Sequence, residues 1–395
     1  MPLDVMETLS DLVRLPSVNP MGRDVSGDEY FEYQVTDYLE RLFDRLGLPW
    51  RRQTIEPRRE NIVARLDGDV PAEDGGTMLM FEAHQDTVPV DGMTIPPWTP
   101  TIREGRVYGR GACDIKGGMA CMLAALSRLA EERPRGRPTL VMACSVNEEH
   151  GFGGAPRIHE LWDGGSGFLP RAPDAVIVAE PTLLDVVVAH KGALRWRCHA
   201  HGRAGHSSQP QLGDNAIYRM ARVLESLERY ARDVVPALGR HPLVGHPTLS
   251  VGLISGGVSV NTVPDRCMIE IDRRVLPAEN PQAALEHVKA FVAEAVAGDP
   301  LVEQEPPYLI SSGLSDELSR DFADRLSSTI RRYGGSGRCI GVPYGTDAPA
   351  FSSRGIPTVV FGPGSIEQAH TADEWVAIDQ LLTATEILYE FACGR

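Results

Sequence analysis

The sequence lacks paired cysteines and long apolar runs, and these two absences exclude secreted disulfide-rich domains and membrane-spanning proteins. Its seven cysteines are an odd number and include no Cys-x-x-Cys pair, which is typical of a reducing compartment. No apolar stretch approaches membrane-spanning length, and Asp4, Glu7 and Asp11 lie where a signal peptide would be basic and then apolar. We therefore expect a cytoplasmic protein with no membrane partner.

Positive charge is also scarce. The chain has 39 Lys plus Arg against 54 Asp plus Glu, a net charge of −15. A protein that holds phosphate backbones needs a basic surface, so nucleic acid is not an expected partner. The acidic balance needs no explanation beyond solubility.

What the sequence contains is an ordinary soluble composition in a long chain. Hydrophobic residues make up 42% and charged residues 24% of its 395 residues. This length exceeds one typical domain, so we expect two domains, or one domain that carries a large insertion.

The first part of the chain alternates between helical and extended patterns. Amphipathic spacing predicts that a helix over 29–46 opens the fold. Short apolar runs bounded by turn residues then predict strands, with one helix rich in Ala, Met and Leu between them. The strands are Asn61–Leu66, Thr77–Phe81, Thr139–Ser145 and Ala175–Val178, and the helix is Gly117–Leu129. Alternating strands and helices indicate an α/β fold.

From about Val187 the pattern changes to two successive strand–helix–strand units, which predict a small α+β domain inserted into the first. Its predicted elements are strands Leu194–His201, Thr248–Ile254 and Cys267–Val275, helices Ala216–Leu227 and Pro281–Val296, and an irregular segment over 231–247. The α/β pattern then returns, with helices Asp316–Tyr333 and Asp379–Phe391 around a strand Pro357–Phe361. The predicted domains are thus 1–186 with 302–395, and 187–301.

Polar residues recur at the ends of the predicted strands. His84 and Asp86 follow a buried strand as a ligand and its orienter would, although a surface hydrogen bond is an equally simple interpretation. Asp114 lies among glycines whose spacing fits no phosphate-binding loop, and it is either a helix N-cap or a metal ligand. Adjacent Glu148 and Glu149 end another strand, where two carboxylates repel unless a cation or a proton compensates them.

Two further positions complete the set. Glu180 follows an apolar strand, and His370 lies in a glycine-rich loop after another one. Each position alone has a simpler interpretation, such as a solvated turn. Together, two histidines and several carboxylates are the nitrogen and oxygen ligands that a pair of zinc ions uses.

The order of these motifs resembles the M20-type zinc metallopeptidase and deacylase family. This family includes acetylornithine deacetylase, succinyl-diaminopimelate desuccinylase, aminoacylase and glutamate carboxypeptidases, and the resemblance covers nearly the whole chain. It implies a zinc-exopeptidase-like three-layer α/β/α catalytic domain over 1–186 and 302–395. It also implies an inserted ferredoxin-like lid over 187–301, through which two copies form a homodimer.

The resemblance further implies a role for each matching residue. Two zinc ions, or cobalt or manganese in their place, would be bound by His84 and Glu180 at one position and by Glu149 and His370 at the other, with Asp114 bridging both. Glu148 would be the general base, and Asp86 would orient His84.

The lid would contribute the remaining catalytic and substrate-binding residues. In Gly205-His206-Ser207-Ser208, His206 would reach across the dimer to stabilise the oxyanion. Asn261, Arg273 and Gly364 would hold the substrate, with Arg274 as the alternative to Arg273. Cys113 has no histidine in a Cys–His signature and is interpreted as a packed thiol.

Several stretches look most like acetylornithine deacetylase: His190–Gly192, Gly205–Ser208, Asn215–Ile217, Pro247–Leu249 and, above all, Gly362–Ile366 with Gln368–His370 and Asp373–Glu374. Asn261–Pro264 departs from that enzyme and is similar to the family at large. The expected reaction is hydrolysis of N2-acetyl-L-ornithine, a small N-acyl amino acid, to ornithine and acetate in arginine biosynthesis. The alternatives are a desuccinylase, an aminoacylase, an M20 carboxypeptidase or dipeptidase, or an inactive metal-binding protein.

Overall fold

The computed structural model describes residues 1–163 and 167–394. The chain divides into two compact units, and each is built from separate stretches of sequence. Unit 1 contains Met1–Val188, Asp316–Ile340 and Thr346–Arg395, and unit 2 contains Ala189–Ser315 and Gly341–Gly345.

The strands, in chain order, are β1 Trp50–Glu56, β2 Arg59–Leu66, β3 Met78–His84, β4 Thr101–Arg103, β5 Arg106–Tyr108, β6 Thr139–Ser145, β7 Ala175–Val178, β8 Val186–His190, β9 Gly192–His201, β10 Gly205–His206, β11 Thr248–Gly256, β12 Thr262–Val263, β13 Arg266–Val275, β14 Val302–Gln304, β15 Leu309–Ser311, β16 Cys339–Val342, β17 Thr358–Val360 and β18 Trp375–Ala377.

The helices are α1 Val5–Val13, α2 Tyr33–Arg45, α3 Lys116–Glu132, α4 Glu148–Gly151, α5 Glu160–Asp163, α6 Ala216–Arg229, α7 Pro281–Ala295, α8 Arg320–Arg332, α9 Pro349–Ser352 and α10 Ile378–Ala392. In the described part of the chain, none of these helices has the length and apolar character needed to cross a membrane.

Unit 1 is built on an eight-stranded sheet in the order β1-β2-β6-β3-β7-β17-β8-β16. Strands β6, β3, β7 and β17 run parallel to one another, so their carboxyl ends meet at one edge. Strands β3, β6 and β7 are buried along their whole length, which is why they read as continuous apolar runs. The predicted α/β class is confirmed.

The core of unit 1 joins this sheet to helices α1, α2, α3, α8 and α10. Helix α3 is buried on nearly all sides from Lys116 to Ser127, which explains its small and apolar residues.

The prediction that the helix over 29–46 opens the fold is wrong, because α1 precedes it. Asp4 caps α1, and its Oδ1 accepts hydrogen bonds from the backbone N–H groups of Met6 and Glu7 at 2.8 and 2.9 Å. Leu9 and Leu12 are fully buried against the core. A capping aspartate before apolar residues at helical spacing was the available signal.

Unit 2 contains an antiparallel sheet in the order β11-β13-β9-β14, with β15 also paired to β9. Helices α6 and α7 share its core with alternate residues of β9, such as Trp196 and Cys198. The segment over 231–247 is more regular than predicted, since a π-helical turn at Tyr230–Val234 leads into a 3-10 turn at Val235–Leu238.

The chain leaves unit 2 later than the predicted boundary at 301. Strands β14 and β15 both pair with β9, so the chain returns to unit 1 only at Asp316.

Candidate metal centre

The carboxyl edge of the parallel strands gathers most of the predicted site residues of unit 1. His84 is the last residue of β3, Glu148 and Glu149 begin α4 just after β6, and Glu180 follows β7. Asp114 lies just before α3, and His370 lies in the loop between β17 and β18. Because these elements are packed into one sheet edge and one core, residues distant in sequence become neighbours.

Five of these side chains form two clusters with one shared member. His84, Asp114 and Glu180 form the first, and Asp114, Glu149 and His370 the second, with the potential ligand atoms of each lying within 4.8 Å of one another. Nε2 of His84 lies 3.3 Å from Oδ1 of Asp114, and Nε2 of His370 lies 3.3 Å from Oδ2. Asp114 therefore presents one oxygen to each cluster.

The unpaired atoms of this site indicate what the residues can bind. His84 Nε2 and Glu149 Oε1 are buried, and neither has a hydrogen-bond partner among the described residues. A buried polar atom left without a partner costs about 1–3 kcal/mol, and an ionised one more. Two imidazoles and three carboxylates with atoms to spare fit a pair of divalent cations with nitrogen and oxygen ligands.

The electrostatics lead to the same conclusion. Burial, reinforced by the charge of Asp114, raises the pKa of Glu149 to about 7 and raises the pKa of Glu180 well above its ordinary value. Hydrogen bonds to Asp114 and then to Glu149 raise the pKa of His370 to about 10. Burial alone would raise the pKa of Asp114, but its close contacts with the imidazoles of His370 and His84 hold this pKa below the ordinary value. The cluster thus favours added positive charge.

Asp86 contacts His84 through its backbone and a neighbouring turn through its side chain. The acceptor nearest to His84 Nδ1 is the backbone carbonyl of Asp86 at 3.0 Å, whereas the carboxylate oxygen is 3.7 Å away. The carboxylate instead accepts the backbone N–H groups of Glu148 at 3.1 Å and Glu149 at 3.2 Å. Asp86 thus supplies the acceptor for His84 through its backbone carbonyl, and its side chain holds the start of α4.

Two residues that sequence reasoning missed hold the same turn. Asn19 donates through Nδ2 to Asp86 at 2.8 Å and to the Asn147 side chain at 3.0 Å. The buried carboxylate of Glu32 accepts the backbone N–H of Asn147 at 3.2 Å, where that residue adopts a left-handed φ of 61°. Both residues lie more than a hundred positions from the turn, so no local pattern identifies them.

A second buried acidic pair lies close to His84. The Ser145 hydroxyl is 2.6 Å from Glu82 Oε1 and 2.9 Å from Asp347 Oδ2. Burial raises the pKa of Glu82 well above its ordinary value and that of Asp347 to about 7. A serine hydroxyl has one proton to donate, so a protonated carboxyl completes the second of these hydrogen bonds.

Unit 2 brings two of its predicted residues together. His206 on β10 pairs with Thr262 on β12, and the backbone N–H of Ser207 donates to the carbonyl of Asn261 at 3.0 Å. His206 is exposed, and its Nδ1 accepts the backbone N–H of Ser208 at 3.2 Å. The same Nδ1 lies 2.7 Å from the Ser208 hydroxyl, so Nε2 is the ring nitrogen left to contact another group.

The predicted substrate contact of Arg273 is contradicted by its burial. The side chain is fully buried, and Nη2 lies 2.7 Å from Glu279 Oε1 while Nη1 donates to the carbonyl of Arg274. Arg274, on the opposite face of β13, is partly exposed, and its Nε lies 2.7 Å from Asp272 Oδ1. Of the two arginines, only Arg274 is accessible.

Gly364 is also placed differently from the prediction. It is buried with a φ of 90°, its N–H donates to Gln380 Oε1 at 2.8 Å, and its carbonyl accepts the N–H of Leu183 at 2.7 Å. A Cβ there would lie 2.5 Å from Cys113 Sγ. Gly364 therefore allows two loops to pack closely. Burial raises the pKa of the Cys113 thiol well above its ordinary value, as expected of a packed thiol.

The sequence also matches a known protein family. The family model described as peptidase family M20/M25/M40 matches residues 80–393. The chain belongs to this family. It is accordingly an enzyme, a metal-dependent hydrolase, and the resemblance inferred from its motifs is confirmed.

Individual relatives agree with the family over almost the full chain. An acetylornithine deacetylase of Myxococcus xanthus is 31% identical over 363 residues, which covers 89% of each chain. A probable succinyl-diaminopimelate desuccinylase of Staphylococcus aureus is 27% identical, covering 98% of this chain and 96% of its own. The structure of an M20 family metallo-carboxypeptidase of Sulfolobus solfataricus is 18% identical, with a TM-score of 0.78 and 99% of both chains covered. The comparison with the carboxypeptidase structure, at 18% identity, shows similarity of the fold alone.

Proposed function

We propose that this M20 hydrolase is a zinc enzyme that deacetylates N2-acetyl-L-ornithine to ornithine and acetate, as a step of arginine biosynthesis. The hydrolase activity is supported by the pair of clusters that share Asp114. The substrate rests on the full-length likeness to proteins named acetylornithine deacetylase and on the loop Gly362–His370.

In this proposal His84, Asp114 and Glu180 hold one zinc ion, and Asp114, Glu149 and His370 hold the other. Cobalt or manganese would suit the same ligands. Bound zinc ions would polarise the acyl carbonyl and lower the pKa of a water molecule toward neutrality. The unpartnered atoms His84 Nε2 and Glu149 Oε1 support the ligand assignment.

Glu148 is the proposed general base. It is a member of neither cluster, it adjoins Glu149, and Asp86 fixes its backbone at 3.1 Å. A carboxylate in this position takes the proton of the attacking water and then delivers it to the leaving amine nitrogen.

His206 is the proposed donor to the developing oxyanion. Its Nδ1 is occupied by the backbone N–H of Ser208, so Nε2–H is the group it offers. Asn261 would bind substrate beside it. For the substrate carboxylate we propose Arg274 in place of the buried Arg273.

We propose further that unit 2 forms a homodimer through β11. In the described part of the chain, β11 pairs only with β13, so its other edge is open. Leu253 and Ile254 are 61% and 58% exposed, and Val258 and Val260 beyond the strand are also exposed. An open apolar edge is a site for strand pairing, and a second copy of this chain would cover it.

The dimer is tested by analytical ultracentrifugation of the double variant Leu253→Lys, Ile254→Lys. We expect the wild-type chain to sediment as a dimer and the variant as a monomer, because two lysines on each edge repel and must be desolvated. Ile102→Lys alters an equally exposed residue of unit 1 and is the matched control, which should remain a dimer. A monomeric wild-type chain would overturn the proposal.

The substrate is tested with a panel of N-acetylornithine, other N-acetyl amino acids, succinyl-diaminopimelate and dipeptides, on enzyme loaded with zinc or cobalt. The highest kcat/KM should be for N-acetylornithine. A preference for the succinyl substrate would favour the second candidate, which has support from the desuccinylase relative. Turnover of none of them would overturn the deacetylase proposal and place the substrate outside these classes.

A further inference from the structure

One buried carboxylate next to the candidate metal centre receives four hydrogen bonds. The side chain of Glu374 is fully buried. Its Oε1 accepts the backbone N–H groups of Cys113 at 2.8 Å and Asp114 at 3.0 Å. Its Oε2 accepts the backbone N–H of Gly111 at 2.9 Å and a guanidinium hydrogen of Arg110 at 2.6 Å. Each carboxylate oxygen thus accepts two hydrogen bonds.

These bonds connect the loop of Asp114 to the loop of His370. Glu374 follows His370 by one short turn of chain, and its backbone carbonyl also accepts the N–H of Gly109 at 3.1 Å. Arg110 extends the connection, since its Nη2 donates to the carbonyls of Pro89 at 3.2 Å and Thr371 at 3.3 Å. The loop after β3, the loop before α3 and the loop after β17 are therefore tied together.

A carboxylate is the group that this position requires. Each oxygen faces two N–H donors, and a carboxylate has acceptors only. A glutamine would turn an NH2 group toward two donors whichever way its amide is oriented. It would also leave Arg110 buried without its counter-charge, which is costly because the ion pair is almost completely buried.

We propose that Glu374 is a positioning residue that sets the distance between Asp114 and His370, and thereby the metal affinity of the cluster of Asp114, Glu149 and His370. This inference rests on the proposed two-metal function. The cluster of His84, Asp114 and Glu180 depends on Glu374 less, because only Asp114 among its members lies on a loop that Glu374 holds directly.

The test is a stepwise cobalt titration of the metal-free protein, followed by visible absorption and by metal content after dialysis. Wild-type protein should bind two ions tightly. Glu374→Gln should keep the first and bind the second roughly 10- to 100-fold more weakly, the usual effect of losing a partner that orients a ligand. The absorption band of the second ion should change, which a mere loss of stability would not cause.

Two further variants keep the outcome decisive. Asp174→Asn removes a carboxylate that accepts the N–H of Met78 at 2.7 Å at the opposite end of β3, and it should bind both ions as the wild type does. Arg110→Lys keeps the charge and should weaken the second ion by about tenfold. If Glu374→Gln does not fold, the binding of the second ion by Arg110→Lys tests the proposal instead. Unchanged binding in the folded variants overturns the role of Glu374, whereas a wild-type chain that binds fewer than two ions overturns the proposed function instead.

Discussion

At the scale of single residues, the adjacent Glu148 and Glu149 have different surroundings. Oε2 of Glu149 lies 3.0 Å from Nε2 of His370 and belongs to a cluster. Glu148, one residue earlier, belongs to neither cluster, although it is buried. This difference supports the proposal that Glu149 binds metal and Glu148 transfers protons.

Replacement of the proposed base should separate turnover from binding. Glu148→Gln removes the proton acceptor but keeps the shape, so kcat should fall by about 10²–10⁴-fold while metal content is unchanged. Glu149→Gln is the comparison, and it should lose metal as well. Steady-state kinetics with elemental analysis measures both, and near-normal kcat in Glu148→Gln would refute the base assignment.

The packing role of Gly364 gives a second prediction. Gly364→Ala places a Cβ against Cys113 Sγ at a φ of 90°, so the free energy of unfolding should fall by about 1–3 kcal/mol. The added change Cys113→Ala should restore part of this loss, because it removes the clashing atom but not the strain. Denaturant unfolding measures the energies. A change in KM without a change in stability would return Gly364 to the substrate site.

The motifs of the sequence identified side chains that the structure brings together, but the sequence prediction did not take into account which face of a strand a residue lies on. Four of the five candidate ligands lie at the end of a strand or at the start of a helix, and His370 lies in the loop between β17 and β18. The alternating pattern of β13 already indicated that Arg273 is buried. Arg273 lies on the same face of this strand as the buried residues Ile269 and Ile271, so its predicted contact with substrate was wrong. Asn19 and Glu32 had no local signal.

At the scale of elements, continuous apolar strands were the most predictable parts. Strands β6 and β7 have the predicted limits, because they are buried on both faces and are bounded by turn residues. Strand β1 was missed, because among the described residues it pairs only with β2 at the edge of the sheet and exposes part of both faces. Helix α1 was missed although its capping Asp4 and its apolar residues at helical spacing are present in the sequence.

The cap of α1 can be tested directly. Asp4→Ala leaves two N–H groups without their acceptor and should lower the free energy of unfolding by about 1 kcal/mol. Asp11→Ala on the same helix removes only an exposed ion pair with Arg14 and should cost less than about 0.5 kcal/mol. Equal effects in denaturant unfolding would contradict the capping role.

At the scale of the whole molecule, the metal-free protein should lose stability as pH rises. The folded-state pKa values of Glu149, about 7, and His370, about 10, lie above their ordinary values, so the folded chain binds more protons than the unfolded chain. The contribution of Glu149 is present below about pH 4.5 and lost as pH rises through 7; that of His370 is present below about 6.5 and lost through 10.

Thermal unfolding of metal-free protein between pH 5 and 9 measures this slope, with about 1 °C expected per kcal/mol, because the entropy of unfolding grows with chain length. Added zinc or cobalt should reverse it, since these ions displace the bound protons and bind more tightly at higher pH. A Tm of the metal-free protein that rises over this range would show that the cluster does not hold the extra protons.

The order of the candidate ligands along the chain has a consequence for synthesis on the ribosome. His84, Asp114 and Glu180 have all been made before unit 2 begins, whereas His370 comes after it, close to the end of the chain. Strand β17, which lies between β7 and β8 in the sheet, is equally late. A nascent chain can therefore carry every side chain of the first cluster before the segment that supplies His370 to the second cluster has been translated.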